Sequence, residues 1–168
     1  DATATRLSWI NEAVSADVRG ESQQAYRIVV ASSEDKLSKG KFDVWDSGKV
    51  RSSASSLVSY QGSKLASGKD YWWKVMVWDS KGVASLWSET ARWGMGLKPA
   101  DWTAKWIGAP WQGEEPRNVM LPGSNSKRNP KSSVVYPAPM FRKTFTVSKP
   151  IASAKAFVTG LGYFEFYM

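Results

Sequence analysis

The chain has 168 residues, and its 23 Lys and Arg against 15 Asp and Glu give a formal net charge of +8 at neutral pH. It contains no cysteine and no histidine, which excludes a disulfide framework, a Cys or His zinc site, a cysteine nucleophile and a Ser-His-Asp triad. No apolar run approaches 18 residues, so the sequence predicts no membrane span.

The positive charge raises the question of a nucleic-acid partner. Lys and Arg are scattered along the chain, and their densest group, Lys127, Arg128 and Lys131, lies among Asn, Ser and Pro in a loop-like stretch. No RNA-binding or helix-turn-helix pattern accompanies it. We therefore interpret the charge as a solvated surface and predict no nucleic-acid partner.

The first sixty residues alternate short strand patterns with turn residues. Strands are predicted at residues 6–10, 24–32, 44–50 and 56–61, because β-branched and aromatic residues alternate there with polar ones. A helical turn is predicted over 33–41, with Ser33 as its cap and Gly40 at its end.

The longest alternation lies at residues 65–79, where Tyr71 and Trp73 share one face and Trp72, Lys74 and Trp78 the other. This pattern predicts a half-buried central strand. The spacing of Leu65 and Gly68 before Tyr71 resembles the tyrosine corner of immunoglobulin-like sandwiches. A turn at 79–82 and a strand at 86–95 complete a predicted hairpin.

These patterns predict an all-β chain of two parts. Residues 1–97 match the size and strand spacing of a fibronectin type III or immunoglobulin-like sandwich without its first strand. Residues 98–168 are predicted to hold a junction, a long loop over 111–133, and the first strands of a truncated second β-sandwich. Those last strands are expected at 139–147, 152–159 and 162–168.

Acidic residues offer no convincing catalytic or metal site. Glu114 and Glu115 are adjacent, so their side chains diverge, and the neighbouring Gly and Pro predict a solvated loop. Asp43 and Asp46 fit an edge strand, where charge blocks unwanted pairing. The turn that begins at Asp79 has only a fragment of a calcium-loop pattern. We assign no catalytic residue and no metal ligand.

Ten tryptophans are the most unusual feature of the composition. Trp72 and Trp78 are the candidates for a carbohydrate-binding platform, because the apolar face of a sugar packs on an exposed flat ring, and the strand face that they share with Lys74 could leave one of them exposed. Core or interface packing is the competing interpretation, and we favour it, since large aromatic residues dominate such packing. Trp102, Trp106 and Trp111 cluster after the first sandwich and are predicted to lie in a domain interface.

An ordered series of motifs resembles the N-terminal region of bacterial α-L-rhamnosidases of glycoside hydrolase family 78. The motifs are AYRIVVAS, VWDSGKV, YWWKVMVWD, DWTAKWIG, FRKTF and GLGYFEFYM. The resemblance runs from Arg6 to Met168 and leaves out the loop near 112–133.

The resemblance implies a fibronectin-like sandwich, then a jelly-roll-like one, and later an (α/α)6 barrel that removes terminal L-rhamnose from plant glycosides or polysaccharides with inversion. Inversion needs two carboxyl groups roughly 6.5–9.5 Å apart, and no position of this chain matches the catalytic ones. It implies a non-catalytic accessory scaffold that is inactive alone and needs no cofactor. Its partners would be downstream domains and rhamnose-containing glycans, in an extracellular or periplasmic setting.

Two alternatives remain open at this point. The chain could be a carbohydrate-binding module that uses exposed Trp, or a fibronectin-type module that binds protein. The second alternative accounts for the first 97 residues but not for DWTAKWIG or the strands after it.

Overall fold

The computed structural model describes residues 5–13, 15, 17, 19–109 and 138–168. Its regular structure consists of seven strands, one short α-helix and one 3₁₀ turn at Pro99–Asp101. In chain order these are β1 Arg6–Leu7, β2 Ala25–Ala31, α1 Glu34–Ser38, β3 Trp45–Asp46, β4 Val50–Arg51, β5 Val58–Ser59, β6 Asp70–Trp78 and β7 Ala91–Gly94. None of the helices in the described part is long and apolar enough to cross a membrane.

The strands form two antiparallel sheets. β1 pairs with β5, and the second sheet has the order β3-β2-β6-β7, with β4 also paired to β2. β2 and β6 are its central pair, and Ile28 lies opposite Val75 at the middle of their seven-residue ladder. The predicted all-β, antiparallel architecture is confirmed.

The main core lies on the inner face of the five-stranded sheet. Tyr26, Ile28 and Val30 of β2 and Tyr71 and Val75 of β6 are buried there together with Leu7 of the small sheet. This face is the one that the period-two pattern of both strands predicts, since alternate residues of a strand point the same way.

A second apolar cluster covers part of the opposite face, which we call the outer face. It joins Val29 and Ala31 of β2 to Leu37 of α1, and all three are fully buried. Helix α1 begins as predicted, because the Lys36 N–H donates to Ser33 Oγ at 3.3 Å. Because both of its faces are covered, β2 has a nearly continuous apolar sequence.

Hydrogen bonds pin both ends of β6. Before the strand, the backbone N–H of Ala66 donates to the Tyr71 hydroxyl at 2.7 Å, which is the predicted tyrosine corner. After it, Asp79 Oδ1 accepts from the N–H groups of Lys81 and Val83 at 2.9 and 2.7 Å. Gly82 has φ +80° in this turn, a conformation that glycine adopts readily.

The last strand of the sandwich is shorter than the sequence predicts. Two serine hydroxyls replace backbone carbonyls beside β6: Ser85 Oγ accepts from the Val77 N–H at 3.1 Å and Ser88 Oγ from the Val75 N–H at 3.0 Å. The regular ladder therefore starts only at Ala91, not at the predicted residue 86.

The chain divides into two compact units, Asp1–Trp102 with Thr159–Met168, and Thr103–Val158. The predicted strands at 139–147, 152–159 and 162–168 are not formed, since the described residues from 138 onward contain no strand. A strand needs a hydrogen-bonded neighbour. An alternating pattern predicts which side chains share a face, but it does not provide that neighbour. The second sandwich remains a prediction, and the predicted loop at 111–133 lies outside the described residues.

Candidate functional site

The outer face of the five-stranded sheet carries the two tryptophans that the sequence singles out. On β6 the outward residues are Trp72, Lys74, Met76 and Trp78, and all four are half-buried. Opposite them on β2 lie Ala31, Val29, Arg27 and Ala25. Trp72 packs against the second apolar cluster. The predicted sharing of one face by these β6 residues is confirmed.

The middle of the outer face holds two aromatic rings and two cations. The rings of Phe42 and Trp87 have centroids 6.2 Å apart. Lys74 Nζ lies 5.1 Å from the Trp87 centroid and 5.9 Å from that of Phe42. The Arg27 guanidinium lies 5.9 and 6.0 Å from the same two centroids. We call these four residues the aromatic–cation cluster.

The ends of the outer face repeat the pairing of an indole with a cation. The Arg92 guanidinium lies 5.4 Å from the centroid of Trp72, and Lys49 Nζ lies 4.3 Å from that of Trp78. Both distances are within cation–π range. Six residues of strand separate the two tryptophans by about 20 Å. They therefore cannot form one platform under a single sugar ring.

Two of the four cations on this face are neutralised by carboxylates. Arg27 donates to both carboxylate oxygens of Asp46, Nε at 2.9 Å and a terminal nitrogen at 2.6 Å. The hydrogen bond from Arg27 lowers the pKa of Asp46. Arg92 pairs with Asp70 at 2.6 Å. Within the described ranges, Lys49 and Lys74 have no carboxylate at ion-pair distance.

Asp43 also acts as a structural acceptor. It receives hydrogen bonds from the backbone N–H of Ser32 at 2.9 Å, the Ser32 hydroxyl at 2.7 Å and Lys36 Nζ at 2.6 Å. Burial alone would raise the pKa of Asp43, but these bonds and the Lys36 charge outweigh it and lower the pKa to about 2. A general acid near neutral pH needs the opposite shift.

The predicted interface tryptophans fall in different compact units. Trp102 belongs to the first unit and is 37% exposed, whereas Trp106 belongs to the second and is 69% exposed. Trp111 lies outside the described residues. Their role in a domain interface stays a prediction.

A cluster that sequence reasoning missed lies near the C-terminal end. The Tyr163 hydroxyl donates to Glu165 Oε1 at 2.7 Å, and the Tyr167 hydroxyl donates to Oε2. The two phenols, that of Tyr167 first, lower the pKa of Glu165. The Tyr-x-Glu-x-Tyr spacing puts all three residues on one face of an extended chain. This spacing is the sequence pattern from which the cluster could have been predicted.

No metal centre is formed in the part of the chain that the structure describes, where no three Asp or Glu side chains come together. The turn at Asp79 is occupied by backbone N–H groups, as described above. The candidate site among the described residues is therefore an aromatic and basic surface.

Comparison with known proteins adds a family to this geometry. Residues 1–99 match the family described as "Rha78A-like, N-terminal immunoglobulin domain". An α-L-rhamnosidase of Formosa agariphila is 37% identical over 165 residues, which are 96% of this chain and 17% of that protein. One from Streptomyces avermitilis is 48% identical over 111 residues, 66% of this chain and 10% of that protein.

Solved structures of α-L-rhamnosidases are also similar to this chain. The Streptomyces avermitilis α-L-rhamnosidase complexed with L-rhamnose superposes with a TM-score of 0.59 at 46% identity, covering 66% of this chain and 10% of that one. The α-L-rhamnosidase from Dictyoglumus thermophilum gives 0.55 at 38% identity, covering 60% and 11%. The chain spans about a sixth or less of the length of the curated relatives described above.

Proposed function

Because the chain belongs to the family of Rha78A-like N-terminal immunoglobulin domains, we propose that it is a non-catalytic scaffold region of an α-L-rhamnosidase. The proposed enzyme removes terminal α-L-rhamnosyl residues from plant glycosides or polysaccharides with inversion. Such polymers are met outside the cytoplasm, so the proposal places the protein in an extracellular or periplasmic setting.

The direction in which the carboxyl pKa values are shifted is the observation that supports the non-catalytic role. Inverting hydrolysis needs one carboxylic acid whose pKa is raised and one carboxylate that activates water. Among the described residues, every resolved carboxyl shift lowers the pKa, at Asp43, Asp46 and Glu165. Each of these groups is held by hydrogen-bond donors of the protein.

Exposed apolar side chains support the scaffold role. After the first sandwich, Trp106 is 69%, Ile107 68% and Phe145 80% exposed. Trp106 and Ile107 are neighbours in the chain, and adjoining exposed apolar side chains mark interaction surfaces. We propose that further domains of the α-L-rhamnosidase cover them.

The first test is catalytic. The purified 168-residue chain is incubated with p-nitrophenyl α-L-rhamnopyranoside, and release of p-nitrophenol is followed at several pH values. We expect no release above the buffer rate. Turnover that copurifies with the folded chain would contradict the non-catalytic role.

The second test addresses the scaffold. The chain replaces the matching stretch of the Streptomyces avermitilis α-L-rhamnosidase, and melting is compared for the chimera and the isolated chain. We expect Trp106→Ala to lower the Tm of the chimera by several degrees and leave the isolated chain unchanged. The control is Ile10→Ala, an exposed residue of the sandwich, which should change neither. Equal effects of Trp106→Ala on both proteins would rule out an interface role.

A further inference from the structure

The outer face of the five-stranded sheet holds two positive charges that the described part of the chain does not neutralise. Lys49 and Lys74 lie there without a carboxylate partner, whereas Arg27 and Arg92 are each paired with an aspartate. The four cations and two carboxylates leave an excess of two positive charges on one sheet face. An anion that neutralises these two charges would have to come from outside these residues.

The two ammonium groups are held in place by rings. Lys49 Nζ lies 4.3 Å from the Trp78 centroid, and Lys74 Nζ lies 5.1 Å from that of Trp87. A lysine side chain loses much conformational freedom when it is ordered. Because the rings already restrict these side chains in the free protein, less of that cost remains when an anion binds.

The charges are spaced along the face rather than concentrated at one point. Lys74 and Trp78, over which Lys49 lies, are four residues apart on β6, a distance of about 13 Å along a strand. Met76 lies between them and is half-buried, so apolar surface connects the two cations. A ligand that meets both must repeat its negative charge along its length.

We propose that the outer face binds an anionic polysaccharide, whose carboxylate or sulfate groups pair with Lys49 and Lys74 while its sugar rings pack against the apolar surface at Met76 between them. The proposal extends beyond the scaffold role and does not depend on it. It applies to the sandwich whatever enzyme the sandwich belongs to.

Nucleic acid is the other polyanion to consider, and the geometry disfavours it. Single-stranded nucleic acid binds by stacking bases on open aromatic faces. On this sheet a cation lies over a face of Trp72, Trp78 and Trp87. An anionic polysaccharide needs no open ring face, because its charged groups pair with Lys49 and Lys74 and its C–H groups contact the half-buried Met76 side chain.

The ligand test uses five polymers and the intact chain. Tryptophan fluorescence and calorimetry are recorded with oligogalacturonides, with their fully methyl-esterified forms, with dextran sulfate, with dextran and with an oligothymidylate. We expect binding to oligogalacturonides, dextran sulfate or both, and at least tenfold weaker binding to the matched neutral polymer. The charged polymer that binds identifies carboxylate or sulfate as the recognised group. Raising NaCl from 50 to 500 mM should weaken binding at least tenfold.

Three results would overturn the proposal. These are no binding to either charged polymer, equal binding to charged and neutral partners, and tighter binding to an oligothymidylate than to both charged glycans. Each can be obtained whether or not the chain proves catalytically silent, so the scaffold proposal is tested separately.

Variants locate the site. Methionine keeps an unbranched apolar side chain beside the ring and removes the ammonium group, so the test variant is Lys49→Met with Lys74→Met. We expect at least tenfold weaker binding and an unchanged far-ultraviolet spectrum. Lys64→Met is the control, because Lys64 is an exposed lysine in the loop between β5 and β6; its affinity should stay within twofold. If the double variant does not fold, each single variant should still lose at least threefold. Equal losses for the control and the test variants would show that net charge alone is responsible.

Discussion

The hydroxyl of Tyr71 accepts a hydrogen bond of 2.7 Å from the backbone N–H of Ala66. This bond fastens the loop before β6 to a residue whose ring is buried in the main core and lies 5.4 Å from that of Trp93. The loop and the strand are therefore ordered together.

Tyr71→Phe should destabilise the fold by about 1 kcal/mol, the usual net value of one hydrogen bond. The ring remains, so the core stays filled. Urea unfolding should show a lower midpoint with an unchanged m-value. Tyr71→Leu, which also removes the ring contact with Trp93, should cost more; a Tyr71→Phe variant as stable as the wild type would show that the hydroxyl contributes nothing.

Gln23 is the buried polar residue that joins the start of the chain to the loop after β4. Its Oε1 accepts from Trp9 Nε1 at 2.9 Å and from Asn11 Nδ2 at 3.1 Å, and its Nε2 donates to the carbonyls of Ser52 and Ala54, both at 2.9 Å. The oxygen and the nitrogen of the Gln23 amide thus join these four partners in one hydrogen-bond network.

Gln23→Leu should destabilise the protein by about 2 to 3 kcal/mol, because buried partners lose their hydrogen bonds. Gln24→Leu is the matched control: the next residue is exposed, and surface substitutions usually stay within about 0.5 kcal/mol. Thermal melts of both variants measure the difference. A Gln23→Leu variant as stable as the control would contradict the assigned role.

Asp43 predicts a specific acid dependence. Its pKa is lowered from 3.8 to about 2 in the folded protein. A depressed carboxyl pKa contributes stability that is present above pH 3.8 and is lost as the pH falls toward 2. The side chain is 35% exposed, so we discount the contribution to about 1 kcal/mol.

Asp43→Asn should therefore be less stable than wild type at pH 6, and the gap should close between pH 4 and 2. The measurement is the Tm of both proteins across that range. Asp35→Asn, which breaks the more exposed pair with Lys39, should cost less at pH 6. A gap that stays constant down to pH 2 would contradict the assignment to Asp43.

Gly62 is required by close packing rather than by its backbone angles. A Cβ added there would lie 2.5 Å from Trp45 Cβ and would also meet the Tyr60 hydroxyl. Gly62→Ala should destabilise by about 1 to 3 kcal/mol, the usual cost of overpacking. Gly96→Ala, where a Cβ meets nothing within 4 Å, should be neutral or slightly stabilising. Comparable unfolding midpoints for the two variants would refute this account.

Local patterns were sufficient to predict most of the sandwich. β2, β6, the helical turn at Ser33 and the turn at Asp79 follow from alternation and capping within a dozen residues. The tyrosine corner was predictable for the same reason, because Ala66 and Tyr71 are five residues apart.

Features that join distant segments were not predictable. Phe42, Lys74 and Trp87 come from three separate parts of the chain, and none of their local patterns indicates the others. The serine hydroxyls that shorten β7 are of this kind too. The three strands expected after residue 138 failed because alternation does not supply a pairing partner.

The two pinned ends of β6 have a consequence for how this strand is protected against slippage. A shift by one residue would turn Trp72, Lys74, Met76 and Trp78 inward. Three of these four are apolar, so hydrophobicity alone opposes the mistake only weakly, and Lys74 is the residue that penalises it. The same shift would turn the Tyr71 ring out of the main core, although the tyrosine corner ties that residue to the loop before β6. A shifted pairing would therefore have to move this loop together with the strand, which opposes slippage independently of the hydrophobicity of the two faces.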